Sequence, residues 1–132
     1  MKFVDIDRSQ APVLVYKFSS KDPSDQEFEA YLKDLVNDWK SYSGSVIIND
    51  LSEAKYLSSE NRIKVGKVMK DNEEMMTQSV KALVYVMPSV ILNMLLKGIF
   101  AIKKPPVEVK IVKTREEAIR WATEKTKMAA VA

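Results

Sequence analysis

The chain has 132 residues, 46% of them hydrophobic, with no cysteine, no histidine and a net charge of +3. This length and composition predict one globular domain, residues 1–132, with enough apolar side chains for a core. The lack of cysteine and histidine excludes disulfides, cysteine nucleophiles, Ser-His-Asp triads and the usual zinc and haem ligands.

Charge and hydropathy also bear on location and partners. Residues 1–60 carry 7 basic and 11 acidic groups, a net −4, whereas residues 97–132 carry 9 and 4, a net +5. Such polarity is typical of a solvated surface and would also favour head-to-tail association. The N-terminus has no hydrophobic leader, and the longest apolar run is shorter than the roughly 20 residues that span a bilayer. We therefore expect a cytoplasmic protein without a transmembrane segment.

The first half of the chain predicts a hairpin, a helix and a central strand. Residues 3–6 and 13–18 have the composition of strands, and we expect them to pair antiparallel. Ser24 to Glu27 is a capping box that opens an amphipathic helix, which ends near Gly44. Residues 46–51 form a continuous apolar run that ends in Asn49 and Asp50, as expected for a strand covered on both faces.

The second half alternates helices and strands. A helix is predicted from Ser58 or Ser59 to about Met76, then a strand over residues 80–87, a helix over 88–102 and a strand over 107–112. A second capping box, Thr114 to Glu117, opens a terminal helix that we expect to fray after Lys125. This order predicts an α/β fold with a mixed, mostly parallel sheet of about five strands and about four helices.

The junction after the central strand holds the first group of candidate site residues. A carboxylate at the carboxyl end of a strand lies where α/β folds bind ligands, and an ion pair between Asp50 and Arg62 would brace the loop. The serines before the helix are either its N-cap or a phosphorylation site. Without histidine or cysteine the junction offers no convincing base, so we predict no catalytic residue, no cofactor and no metal site. The candidates for a switch or partner contact are Asp50, Ser52, Ser58, Ser59 and Arg62.

The order of elements and several short motifs resemble the STAS domain of anti-sigma-factor antagonists. The match is closer to the SpoIIAA-like group of small bacterial proteins, which is related in fold to the CRAL-TRIO lipid-binding domain. The motifs that carry the resemblance are Pro12-Val13-Leu14-Val15, Pro23 to Phe28, Asp50-Leu51-Ser52, Leu57-Ser58-Ser59 with Arg62, Val86-Met87-Pro88-Ser89 and Thr114 to Trp121.

The resemblance implies a STAS-like or SpoIIAA-like fold and, at the junction, the serine that a partner kinase phosphorylates in true antagonists. Two residues depart from that pattern. Leu57 replaces the acidic residue before the serines, and Glu60 replaces the glycine that lets a partner approach the backbone. Because Glu60 also opposes a phosphate beside it, we predict that the phosphoserine switch is lost.

The helix predicted over residues 88–102 is apolar on nearly every side, so its outer surface requires a cover. The cover would be a second copy of the chain, a lipid-like ligand, a membrane interface or another part of the chain, and the methionines nearby would suit an adaptable contact. The candidates for this interface or apolar pocket are Met87, Ile91, Met94, Leu95, Ile99 and Phe100.

The sequence therefore favours a non-enzymatic regulatory or protein-interaction module of the bacterial cytoplasm, a homodimer with an unidentified protein partner. The alternative is a small binder or carrier of an apolar or lipid-like ligand, gated by the helix over residues 88–102. Nucleic-acid binding is not expected, because the basic segments lack interleaved aromatic residues and show no recognised motif.

Overall fold

The computed structural model describes residues 1–55, 57–87, 94, 97–98, 101 and 104–131, with side chains described as far as residue 127. Five strands and four helices are described in full within these ranges. The strands are β1 (Val4–Asp7), β2 (Val13–Phe18), β3 (Ser45–Asp50), β4 (Val80–Val86) and β5 (Glu108–Val112). The helices are α1 (Asp25–Ser41), α2 (Ser59–Asp71), α3 (Glu73–Ser79) and α4 (Arg115–Val131).

The five strands form one sheet in the order β1-β2-β3-β4-β5. The predicted hairpin is confirmed, because β1 pairs antiparallel with β2, whereas the other three pairings are parallel. Parallel neighbours need crossover connections, and α1 supplies one between β2 and β3, while α2 and α3 supply the next. The α/β fold with a mixed, mostly parallel sheet is therefore confirmed.

The helix starts follow the sequence closely. At α1 the hydroxyl of Ser24 accepts from the Glu27 amide and the Glu27 carboxylate accepts from the Ser24 amide, each at 3.1 Å, which completes the predicted capping box. Gly44 follows α1 with a φ of +69°, a backbone conformation that glycine adopts without a steric penalty. At α4 the Glu117 amide donates to the Thr114 hydroxyl at 3.2 Å.

The single helix predicted from Ser58 or Ser59 to Met76 is wrong in one respect, because it is broken at Asn72. The backbone of Asn72 has φ −117° and ψ 22°, and its side-chain amide donates to the Val68 carbonyl at 2.8 Å. The Asn72 backbone therefore leaves the helical conformation, so α2 ends at Asp71 and α3 starts at Glu73. The terminal helix α4 continues to Val131, past the point where fraying was predicted.

The sheet has two differently built faces. The aromatic face is defined by large side chains that lie between the sheet and α1, α2 and α3, and the valine face by smaller ones that lie between the sheet and α4. The aromatic face contains Phe3, Tyr16, Phe18, Phe28, Tyr31, Trp39, Ile47, Met69, Met76 and Leu83. The valine face contains Val13, Val15, Val46, Ile48, Ala82, Val84, Val86, Val112, Ala118 and Ala122.

Candidate functional site

The junction after β3 lies at the carboxyl edge of the parallel strands. Asp50, the last residue of β3, stands opposite Lys17 of β2 and Val86 of β4, and only 3% of its surface is exposed. The Leu51 amide donates to the Val86 carbonyl at 3.0 Å, which fixes the direction in which the chain leaves the sheet. A buried carboxylate at this edge needs hydrogen-bond partners.

The Asp50 carboxylate finds its hydrogen-bond partners in the loop that follows β3. Its Oδ1 accepts from the Ser52 amide at 3.0 Å and from the Ser52 hydroxyl at 2.7 Å. Bonds from a side chain to the residue two positions later are typical of an Asx turn, in which the side chain replaces a backbone acceptor. Asp50 and Ser52 are therefore in direct contact, and the bonds between them hold the corner. Lys17 is paired with Glu53 of the same loop, at 3.4 Å.

The serines before α2 have separate partners. The Ser58 hydroxyl accepts from the Asn61 amide at 3.1 Å, which makes Ser58 the N-cap of the helix. The Ser59 hydroxyl accepts from the Arg62 guanidinium at 3.0 Å. The hypothesis of an ion pair between Asp50 and Arg62 is wrong for the described residues, because Asp50 bonds to Ser52 and Arg62 to Ser59. The junction is a capped corner whose serines are exposed.

The second group of candidates is only partly described. Met87 is 5% exposed, and its amide donates to the Val112 carbonyl at 2.9 Å, so it lies at the carboxyl end of β4, beside β5. Met94 is 67% exposed, and Met94, Lys97, Gly98 and Ala101 are helical and exposed. The remaining candidates lie outside the described residues, as does the rest of the helix predicted over 88–102: Ile91, Leu95, Ile99 and Phe100. Within the described ranges no helix has the length and apolar character needed to cross a membrane.

The sequence did not predict a buried polar network on the aromatic face. Asp38 is 4% exposed and accepts from Arg8 in a bidentate pair at 2.9 and 3.1 Å. The Tyr16 hydroxyl donates to the same carboxylate. Burial and this bond raise the pKa of Tyr16, and the bond to Asp38 raises the pKa of Arg8. The sequence did contain a signal for the burial of Asp38, because Asp38 follows Leu35 by three residues and so lies near the apolar stripe of α1.

This network ties the loop between β1 and β2 to the end of α1. Arg8 also lies 3.6 Å from Asp34, so two carboxylates of α1 face one guanidinium. Since charge-assisted bidentate pairs are among the stronger hydrogen bonds, the network positions the hairpin against the helix. The polar groups of this network bond to one another, and we assign the network a structural role in the fold.

The fold has a counterpart among solved structures. A solved structure of an uncharacterized protein of the DUF3478 family from Shewanella loihica PV-4, which has a SpoIIAA-like fold, is similar over 90% of this chain and 91% of that one. The TM-score is 0.65 and the sequence identity is 18%, so the likeness is one of fold. The SpoIIAA-like fold predicted from the sequence is thereby confirmed. No family model and no curated protein matches the chain.

Proposed function

We propose that the protein is a non-enzymatic interaction module of the bacterial cytoplasm that acts as a homodimer through the segment 88–102. The observation that carries the proposal is the exposure of Met94, at 67%, within a stretch that is apolar on nearly every side. By contrast Met69, Met76 and Met87 are 4%, 0% and 5% exposed. A large apolar side chain that projects from such a stretch is typical of an interface.

The corner after β3 supports a role without catalysis. The carboxylate of Asp50 is bonded to its own loop, the Ser58 hydroxyl caps α2, and the Ser59 hydroxyl accepts from Arg62. Each of these bonds stabilises local backbone or a neighbouring side chain rather than activating a nucleophile. The exposed serines of this corner are then available as a contact surface for a protein partner.

The test is the assembly state of the purified protein. We expect light scattering after size-exclusion chromatography to give a dimer, and Met94→Glu to weaken it about a hundredfold, because the interface would then bury an unpaired charge. Ile63→Glu is the matched control, since Ile63 is also exposed, at 55%, but lies on α2. A monomeric wild type, or equal effects of both variants, contradicts the proposal.

A second candidate function, binding of an apolar or lipid-like ligand, is favoured by a groove between α1 and α2. This groove has a volume of about 360 Å³ and is lined by Leu32, Val36 and Val68, with Glu29, Lys33 and Asn37 at its polar positions. Native mass spectrometry of freshly purified protein separates the two candidates. A monomer that carries a co-purified lipid supports the ligand binder, and an adduct-free dimer supports the interaction module.

A further inference from the structure

The strand β5 forms one edge of the described sheet, with β4 on its other side. The Val112 carbonyl accepts from the Met87 amide, at the β4 side. Backbone groups alternate in direction along a strand, so Val112, Lys110 and Glu108 direct theirs toward β4. Val109 and Ile111 therefore direct their amides and carbonyls away from the sheet. An edge of this kind is a template for another strand.

The side chains of β5 alternate between the two faces of the sheet. Glu108 and Lys110 stand opposite Ala82 and Val84, whose side chains lie on the valine face, and both are exposed. Ile111 stands opposite Tyr85, on the aromatic face, and is 43% exposed. The edge thus presents an acidic and a basic group two residues apart on one face and an exposed isoleucine on the other.

We infer that a second copy of this chain pairs antiparallel with β5 about a two-fold axis at Val109, which joins two sheets into one. The inference rests on the proposed self-association and adds β5 to the surface that mediates it. In this register Glu108 of each copy faces Lys110 of the other, so two opposite-charge pairs form. Ile111 faces Val107 of the other copy on the aromatic face, which covers the exposed side chain.

The charges select this register over its neighbours. An axis at Lys110 places two lysines opposite each other, and an axis at Glu108 places two glutamates opposite each other, both of which are destabilising. An axis at Ile111 leaves Glu108 and Lys110 without charged partners across the strands. Only the axis at Val109 gives opposite charges twice, and these pairs fall at non-hydrogen-bonded positions, where cross-strand side chains approach most closely.

The opposite edge of the sheet repels a second copy. In β1 both Asp5 and Asp7 are exposed and lie on one face of the strand, so antiparallel self-pairing sets carboxylate against carboxylate in registers centred on Asp5, Ile6 or Asp7. A five-residue strand is short for a stable interface of about 1,600 Å². The exposed Met94 would contribute further area.

Charge reversal followed by mixing tests the register. Lys110→Glu and Glu108→Lys each turn both attractive pairs into repulsive ones, and we expect each to weaken self-association by about tenfold or more. An equimolar mixture of the two variants restores opposite charges, so heterodimers should form with at least the wild-type affinity. Thermal melting checks each variant, because Glu108 also bonds to Lys125 within the chain.

A cysteine at the axis gives a direct readout, because the chain has no other cysteine. A hydrogen-bonded antiparallel pair holds its Cα atoms about 5.5 Å apart, within disulfide range. Val109→Cys should therefore yield a disulfide-linked dimer under mild oxidation, whereas Val4→Cys on β1 should not. Unchanged affinity of both charge variants, or a mixture no tighter than either alone, overturns the strand pairing.

The two proposals fail in different ways. A wild type that stays monomeric at all concentrations removes the homodimer and the strand pairing together. A wild-type dimer that Met94→Glu dissociates, but that neither charge reversal weakens, removes the strand pairing and leaves the proposed function intact.

Discussion

The two faces of the sheet are built from the same strands but from side chains of different size. On the aromatic face, Tyr16 of β2 and Phe28 of α1 are fully buried between the sheet and the helices, where they share the space with the polar network of Asp38. On the valine face a single helix, α4, approaches through Ala118 and Ala122, both fully buried. Large rings are vulnerable to loss of volume and small residues to gain of volume, so the two faces should respond to opposite substitutions.

Removal of a ring from the aromatic face should have the largest effect. The Phe28 ring is fully buried, with its centroid 5.9 Å from that of Phe3 and 5.5 Å from that of Tyr31. We expect Phe28→Ala to lower the free energy of unfolding by about 3–5 kcal/mol, because the cavity would not close around rigid rings. Urea denaturation followed by circular dichroism measures it. Phe28→Leu should lose less, and a loss below about 1 kcal/mol for Phe28→Ala would mean that the face repacks.

Alkaline pH should destabilise the aromatic face selectively. Burial raises the pKa of Tyr16, Tyr31 and Tyr85, all of which lie on this face, above the ordinary value of 10.0. Below that value both the folded and the unfolded chain hold these protons. As the pH rises further, the unfolded chain releases them first, so stability falls by about 1.4 kcal/mol per pH unit for each tyrosine, or about 4 kcal/mol for three.

The measurement is the free energy of unfolding from urea titrations at pH 9, 10 and 11. Tyr31→Phe should reduce the slope above pH 10 by about one third, because one of the three titrating groups is removed. A flat profile between pH 10 and 11 would show that the tyrosines reach solvent in the folded protein.

The local part of this architecture is predictable from sequence. The capping box at Ser24, a serine N-cap at Ser58 or Ser59 and the apolar runs of β2, β3 and β4 depend on residues close together in the chain, and each was predicted from such local patterns. The order of elements and the short motifs that resemble a SpoIIAA-like domain likewise led to the correct fold.

What the sequence did not predict depends on residues that are distant in the chain or that compete locally. The Arg8–Asp38 pair joins positions 30 residues apart, and no local period marks it. Asn72 has a backbone conformation that interrupts a helix whose apolar spacing continues past it. At the junction, Asp50 and Arg62 were expected to pair because they carry opposite charges. Instead Asp50 bonds to the Ser52 hydroxyl and Arg62 to the Ser59 hydroxyl.

Added volume on the valine face should also destabilise the protein, by less than the loss of a ring from the aromatic face. Ala118 is fully buried, and Val15, Val46 and Val84 belong to the same cluster, so Ala118→Leu has to displace α4 or force strained rotamers. Such overpacking costs about 1–3 kcal/mol of the free energy of unfolding, again measured by urea denaturation. Ile119→Leu is the matched control, since Ile119 is the next residue of the same helix and is 42% exposed, and it should be close to neutral. If Ala118→Leu proves neutral or stabilising, α4 has room above the strands, and the contrast between a tightly spaced face and an aromatic one is lost.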